Sequence, residues 1–119
     1  MDYARSVERK TNDVRSCLEQ CEELLDELLL FAFDKHSLPI RSNLEKAIER
    51  CQDELKELWA VITTVPSSYD GPTGLVQYDL FEKELRRLAR RVGYVTALRS
   101  AASHWADLAS RYEELYGEK

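Results

Sequence analysis

The stretch that decides the fold is residues 75–116, LVQYDLFEKELRRLARRVGYVTALRSAASHWADLASRYEELY. Its apolar side chains recur in steps of three and four residues, the spacing that keeps them on one face of an α-helix. At about 1.5 Å per residue the predicted helix is roughly 60 Å long, and an apolar face of that length needs partner helices. The face comprises Phe81, Leu85, Leu88, Val92, Val95, Leu98, Ala102, Trp105, Ala109, Tyr112 and Tyr116.

The rest of the chain also contains few turn-forming residues. With 119 residues, the length predicts one domain covering 1–119. Hydrophobic residues make up 44% of it, which is enough for a core. Only four glycines and three prolines occur, and most of them lie in one short segment. This distribution favours a few long elements over many strands joined by turns.

Charge and hydropathy exclude several classes of protein. The net charge of −5 gives no general attraction to nucleic acid or to an anionic membrane. No apolar run approaches the roughly 18 to 20 residues that a bilayer span needs. The polar start of the chain, Met1 to Arg5, lacks the apolar core of a signal peptide. We therefore expect a cytoplasmic protein with a protein partner, no membrane span and no nucleic acid.

The three cysteines form an odd count, which fits a reducing compartment better than a disulfide framework. Cys17 and Cys21 lie four residues apart on an apolar helix face. Folding the second helix back on the first is expected to place Cys51 level with Leu28, two to three turns away. A metal site would also need a further ligand such as His36. We interpret the cysteines as small buried hydrophobes and predict no metal and no cofactor.

The first predicted helix runs from about Tyr3 to about His36, and it has one anomalous end. Its opposite face is acidic from Glu19 to Glu27 and is interpreted as solvated. Residues 28–33, LLLFAF, are apolar on every side of the helix, although the helix is otherwise amphipathic. Leu29, Leu30 and Phe33 lie off the face that two neighbouring helices cover. We predict that they bind a partner, either another protein or a second copy of the chain.

The second helix is predicted to run to about Val65. Its start is open between Ser42, which forms a capping box with Glu45, and Ser37, which would place Pro39 in the first turn. Trp59 lies beside the apolar face of this helix. Its indole is interpreted as a core wedge or as part of a binding surface, and we include it among the candidate partner-binding residues.

A loop from Val65 to Gly74 then leads into the third helix. We predict an all-α, up-down-up bundle of three long helices. Gly93 is the weak point, because a glycine inside a helix costs about 1 kcal/mol relative to alanine. A break there would fold the last part of the chain back as a fourth helix. The four-helix bundle is therefore the alternative architecture.

Two groups of residues carry possible chemistry. Arg86, Arg87, Arg90 and Arg91 form the densest basic patch, for which phosphates are one possible ligand and the Glu19–Glu27 face another. Arg99 and His104 are spaced R-x4-H. This spacing resembles the short signature of HEPN-superfamily ribonucleases, which are small all-helical dimers. The resemblance implies that Arg99 and His104 act on an RNA phosphodiester.

No other motif of catalysis or phosphate binding occurs: GxSxG, the P-loop, HExxH and CxxC are all absent. We therefore predict that the chain is not an enzyme. It is expected to be a helical interaction or scaffold module that self-associates or docks a partner helix at the end of helix 1. The alternatives are a HEPN-like ribonuclease and a small nucleic-acid-contacting subunit that uses the arginine patch.

Overall fold

The computed structural model describes residues 3–30, 37–66 and 71–116. They form three α-helices: α1 (Tyr3–Leu30), α2 (Ser37–Thr63) and α3 (Pro72–Tyr116). No strand occurs within these ranges. Each helix packs against both others, and the molecule is a rod of 71 × 20 × 17 Å. The predicted all-α bundle of three long helices is confirmed.

Ion pairs between helices show the direction of each helix. Lys10 of α1 pairs with Glu54 and Glu57 of α2, so the start of α1 lies beside the end of α2. Arg15 pairs with Glu84 of α3 and Glu22 pairs with Arg91, both with a separation of 69 residues. This constant offset shows that α1 and α3 run parallel and in register. The order is therefore up, down, up.

The third helix is much longer than the other two. It has 45 residues, whereas α1 has 28 and α2 has 27. At about 1.5 Å per residue, α3 exceeds its neighbours by roughly 25 Å. The offset between α1 and α3 places Leu30, the last residue of α1, level with Arg99. The final turns of α3 therefore extend past the end of α1.

The break at Gly93 does not occur. Residues on both sides of Gly93 belong to one continuous α-helix, so the four-helix alternative is wrong. The φ angle of Gly93 is not positive, and a Cβ atom built there meets no atom within 4 Å. Gly93 is exposed on the outer side of α3. The helix passes through because its apolar residues keep their packing on either side.

Of the two predicted starts of α2, the structure shows the one at Ser37, and α3 starts earlier than predicted. Helix α2 begins at Ser37 instead of Ser42, with Pro39 in its first turn, where a missing N–H costs no hydrogen bond. Helix α3 begins at Pro72, three residues before the predicted start, and the Gly71 carbonyl accepts the Leu75 N–H at 3.0 Å. The predicted end of α1 at His36 falls outside the described residues.

The core is made of apolar residues from all three helices. The buried apolar residues are Tyr3, Val7, Val14, Cys17, Leu18, Cys21, Leu25 and Leu28 of α1, Leu44, Ala47, Ile48, Cys51, Leu58 and Ile62 of α2, and Leu85, Leu88, Val92, Val95 and Ala102 of α3. Thr11 is buried too, and its hydroxyl donates to the Val7 carbonyl at 2.7 Å. That bond satisfies a polar group that would otherwise be costly in the core.

At the open end of the α1·α2 hairpin, the side chain of Tyr3 holds the helices together. The Tyr3 hydroxyl donates to the carbonyl of Ile62 at 2.5 Å, and the ring meets Phe81 edge-on at a centroid distance of 5.8 Å. One aromatic side chain thus joins all three helices. It fixes the level at which the end of α2 meets the start of α1.

The continuity of α3 predicts that Gly93→Ala stabilises the protein. The added methyl group meets no neighbour, and alanine loses less backbone entropy in a helix, so the free energy of unfolding should rise by about 0.5–1 kcal/mol. Urea unfolding followed by circular dichroism measures the change. Gly71→Ala is the matched control. Gly71 has equally open space but caps α3, where alanine is the poorer residue, so no gain is expected there. Destabilisation by Gly93→Ala would contradict the continuous helix.

Candidate functional site

A stripe of apolar side chains faces solvent along the second half of α3. It consists of Tyr94, Leu98, Ala101, Trp105, Leu108, Tyr112 and Leu115, which we call the α3 stripe. The residues follow one another in alternating steps of four and three, the heptad spacing of coiled-coil a and d positions. Leu98 is partly buried and the other members are exposed, with Trp105 57% accessible. The part of the chain that the structure describes leaves this coiled-coil seam without a covering helix.

The α3 stripe lies beside the core face of the helix and is distinct from it. The core face runs through Val95 and Ala102, each one residue after a stripe position. The predicted single face merged the two, and so placed Trp105 and Tyr112 in the core. This prediction is wrong, because both side chains are more than half exposed. The signal that separates them is the strict heptad through Tyr94, Leu108 and Leu115, which sequence reasoning missed.

A groove between α1 and α3 leads into the stripe. It has a volume of about 510 Å³ and is lined by Glu22, Leu25, Asp26, Arg90, Arg91, Tyr94, Val95 and Leu98. The guanidinium of Arg91 donates to the Glu22 carboxylate at 2.7 Å and ties the two walls together. The groove therefore has an apolar floor with charges of both signs at its rims. Beyond Leu98, the described part of α1 ends at Leu30 and the groove continues into the α3 stripe.

The predicted partner-binding residues of α1 are exposed. Leu29 is 50% accessible and Leu30 is 79% accessible. Leu29 lies seven residues after Glu22, on the same side of α1, and so it continues the groove wall toward the α3 stripe. Phe33 lies outside the described residues. Leu38, in the first turn of α2, is also exposed at this end of the bundle.

Trp59 is not brought together with these residues. Its side chain is 52% accessible, so it is not the core wedge that was one of its two predicted roles. The bond between Tyr3 and Ile62 places this part of α2 beside the start of α1. Leu29 lies roughly 35 Å away at the other end of α1, at about 1.5 Å per residue. Trp59 therefore belongs to a different surface, toward the other end of the bundle.

The arginine patch is largely paired within the chain. Arg86 pairs with Glu82 and Arg87 pairs with Glu84 at 3.4 Å, both one turn back on α3. Only Arg91 reaches the acidic face of α1, through Glu22. Arg90 makes no ion pair with any described residue. These pairs are solvent-accessible, so each contributes at most about 1 kcal/mol.

Arg99 and His104 lie on different sides of α3. A separation of five residues turns the helix by about 140°. The Arg99 guanidinium faces α2 and bonds to the Glu45 carboxylate at 3.0 Å, while His104 is exposed. The arginine is therefore committed to an intramolecular pair. The two side chains do not converge on one surface of the helix.

The three thiols converge in the core, which corrects the predicted position of Cys51. Cys51 hydrogen-bonds to Cys21, and the charge state of Cys17 is also coupled to it, so all three lie near one level of the bundle. Cys51 therefore lies about two turns closer to the start of α1 than predicted. Cys21 accepts the bond from Cys51, and this bond together with burial raises the pKa of Cys51. Burial raises the pKa of Cys17 as well. Within the described ranges no group of side chains could hold a metal ion.

Comparison with protein-family models, with curated proteins and with solved structures finds no match to this chain. Among the helices described here, none is long and apolar enough to cross a membrane.

The buried thiols predict that stability falls as the pH rises above 9. In the unfolded chain the thiols ionise near their ordinary pKa of 9.0, whereas the raised pKa keeps Cys17 and Cys51 protonated in the fold. The unfolded state then binds fewer protons, so Cys51 should lower the free energy of unfolding by about 1 kcal/mol between pH 9 and pH 10, and Cys17 should act in the same direction. Urea unfolding at pH 8, 9 and 10 measures this slope. The Cys17→Ala/Cys51→Ala variant should lose most of it, and an unchanged slope in that variant would contradict the assignment.

The paired arginines predict that the protein neither binds nor cleaves RNA. At about 150 mM salt, fluorescence anisotropy with labelled single-stranded and structured RNA should show no micromolar binding, and both RNAs should stay intact. Salt-sensitive binding that disappears when all four arginines of the Arg86–Arg91 patch become alanine would contradict this. Cleavage that is lost equally in Arg99→Ala and His104→Ala, with the helix content unchanged, would establish the ribonuclease alternative.

Proposed function

We propose that this chain is a non-enzymatic helical interaction module that docks one amphipathic helix on the α3 stripe. The observation that carries the proposal is the stripe itself: consecutive a and d positions of α3 that face solvent and run past the end of α1. Amphipathic helices that bind grooves are recognised by side chains at this same spacing. The exposed surface thus matches a known mode of helix recognition.

The energetic argument concerns the large side chains. Tyr94, Trp105, Tyr112 and Leu115 are each more than half exposed. Fully burying a Leu or Phe side chain contributes roughly 1.5–3 kcal/mol, and aromatic side chains dominate interface energetics. A continuous row of such residues is costly in water and favourable under a partner. Scattered apolar residues on the surface would need no such explanation.

The width of the surface indicates a single helix as the occupant. A stripe restricted to a and d positions is the narrow seam of a two-stranded contact, whereas a core-facing helix uses a broader face. On one side the docked helix would also contact Leu29 at the end of α1. At its other end it would enter the groove, where Asp26 and Arg90 stand on opposite rims. Charges of opposite sign on the two rims favour one orientation of the bound helix.

Titration with a designed helical peptide tests the docking surface. The peptide carries leucine at a and d and alternating glutamate and lysine at e and g, and the protein carries Trp59→Phe so that Trp105 is the reporter. At protein concentrations low enough for the chain to be monomeric, we expect a saturable blue shift of Trp105 emission, because the indole leaves water. Leu108→Glu should abolish it. Val76→Glu is the matched control, since Val76 is exposed at the other end of α3, and it should leave binding unchanged.

The proposal fails under one combination of results. If no such peptide binds, and the protein is also monomeric at high concentration, then no helix docks on the α3 stripe. The exposed side chains would then be surface without a partner. Docking that survives Leu108→Glu but is lost in Val76→Glu would move the site to the other end of the molecule.

A further inference from the structure

We infer that the helix that docks on the α3 stripe is the same stripe of a second copy, running antiparallel, with Ala101 of each copy facing Trp105 of the other. This inference rests on the proposed function and names the occupant of that site. Three observations carry it: the order of side-chain sizes along the stripe, the charge gradient of α3, and the amount of exposed apolar surface.

The order of sizes is self-complementary in one antiparallel register. Leu98, Trp105 and Tyr112 occupy a positions, and Tyr94, Ala101, Leu108 and Leu115 occupy d positions. When two copies run in opposite directions, each a position meets a d position of the other. One register then pairs Ala101 with Trp105, Leu98 with Leu108 and Tyr94 with Tyr112. Two-fold symmetry repeats each pair, as an interface between identical surfaces requires.

These pairs fill their layers evenly, and Leu115 lies opposite Arg91 at the end of the contact. The smallest residue of the stripe, Ala101, faces the largest, Trp105, and the remaining pairs join side chains of equal size. Parallel copies in register would instead oppose Trp105 with Trp105 and Ala101 with Ala101, one layer overfull and the next hollow. Interiors pack close to crystal density, so both defects are costly. An antiparallel shift by one heptad would face Trp105 with Leu108 and leave Tyr94 opposite no residue of the α3 stripe.

The charges along α3 favour the same direction. Residues 86–99 contain five arginines and no acid, whereas residues 107–114 contain three acids and one arginine. Antiparallel copies bring the acidic end of each stripe toward the basic end of the other. Parallel copies would set the arginines of one against those of the other. Arg90, at the rim of the groove, has no ion-pair partner among the described residues and is available to a second copy.

The exposed area is sufficient for a stable pair. The three aromatic side chains of the stripe are each more than half exposed, and such side chains bury about 150–250 Å² each. With the leucines, and with both copies counted, pairing removes on the order of 1,200 Å² from water, which is the lower limit for specific interfaces. The stripe of one chain on the stripe of another therefore meets the requirement without any further surface.

Sedimentation equilibrium of the full chain tests the inference. We expect twice the chain mass of 13.8 kDa at micromolar concentration. Trp105→Ala hollows two layers and Ala101→Trp overfills them, so each should raise the dimer Kd by about tenfold or more. The double variant Ala101→Trp/Trp105→Ala restores both layers and should dimerise like the wild type. Trp59→Ala is the control, since an equally exposed tryptophan at the other end should leave the Kd unchanged.

Mixing experiments test the direction of the two copies. In the antiparallel arrangement, the double variant paired with the wild type sets tryptophan against tryptophan and alanine against alanine. Native mass spectrometry of an equimolar mixture, with one chain carrying a mass tag, measures the fraction of heterodimers. That fraction should be well below the one half of all dimers that random pairing would give. In a parallel pair the heterodimer would be the best packed species, and heterodimers at or above half would overturn the antiparallel register.

A monomer would separate the two proposals. If the chain stays monomeric at about 200 μM but still binds the designed heptad peptide, the second copy is not the occupant and the docking function stands. If it is monomeric and binds no peptide, both are wrong. Circular dichroism of every variant establishes that the helices are intact, which is expected because Ala101 and Trp105 are exposed.

Discussion

The architecture depends on one constraint, which is that α3 is a single uninterrupted helix. Its backbone hydrogen bonds continue through Gly93, so the chain cannot turn back to shelter its own second half. The two shorter helices cover only the part that lies level with them, and Tyr3 locks one end of this shared section by joining all three helices. Beyond that section, no described helix covers the α3 stripe. The length of α3, more than any side chain, determines where a partner can bind.

Within the shared section the packing is that of an ordinary bundle. Apolar faces of α1, α2 and α3 meet along the axis, and small residues such as Ala47, Cys51 and Ala102 allow the helices close approach. The surface ion pairs add little free energy, but the repeated offset of 69 residues between α1 and α3 shows one register held at two levels. Because the register is fixed, the groove at Leu25 and Leu98 opens at one defined place.

Much of the fold could be predicted from the sequence, since three- and four-residue spacing identifies the helices and most of the buried faces. The errors came from geometry that spacing does not contain. The level of Cys51 depends on how far α2 lies along α1, which helical spacing alone does not give. Trp105 and Tyr112 were assigned to the core because the heptad stripe lies only one residue away from the core face. In the sequence alone, the two cannot be told from a single wide apolar face. Leu29 and Leu30 were found because an all-apolar turn in an amphipathic helix is a local signal, whereas Leu108 and Leu115 needed knowledge of where α1 ends.

At the projecting end of α3, helix formation and partner binding depend on each other. Helices shorter than about 12–15 residues are marginal in water when no tertiary contact supports them, and most of the described side chains after Ala102 are exposed. Their helicity and their binding are therefore thermodynamically coupled: whatever lies on the stripe also selects the helical state of the segment beneath it. Part of the gross interaction free energy is spent on ordering, which lowers affinity and allows release. The molecule thus combines a rigid three-helix section with an end of α3 whose helical stability depends on its partner.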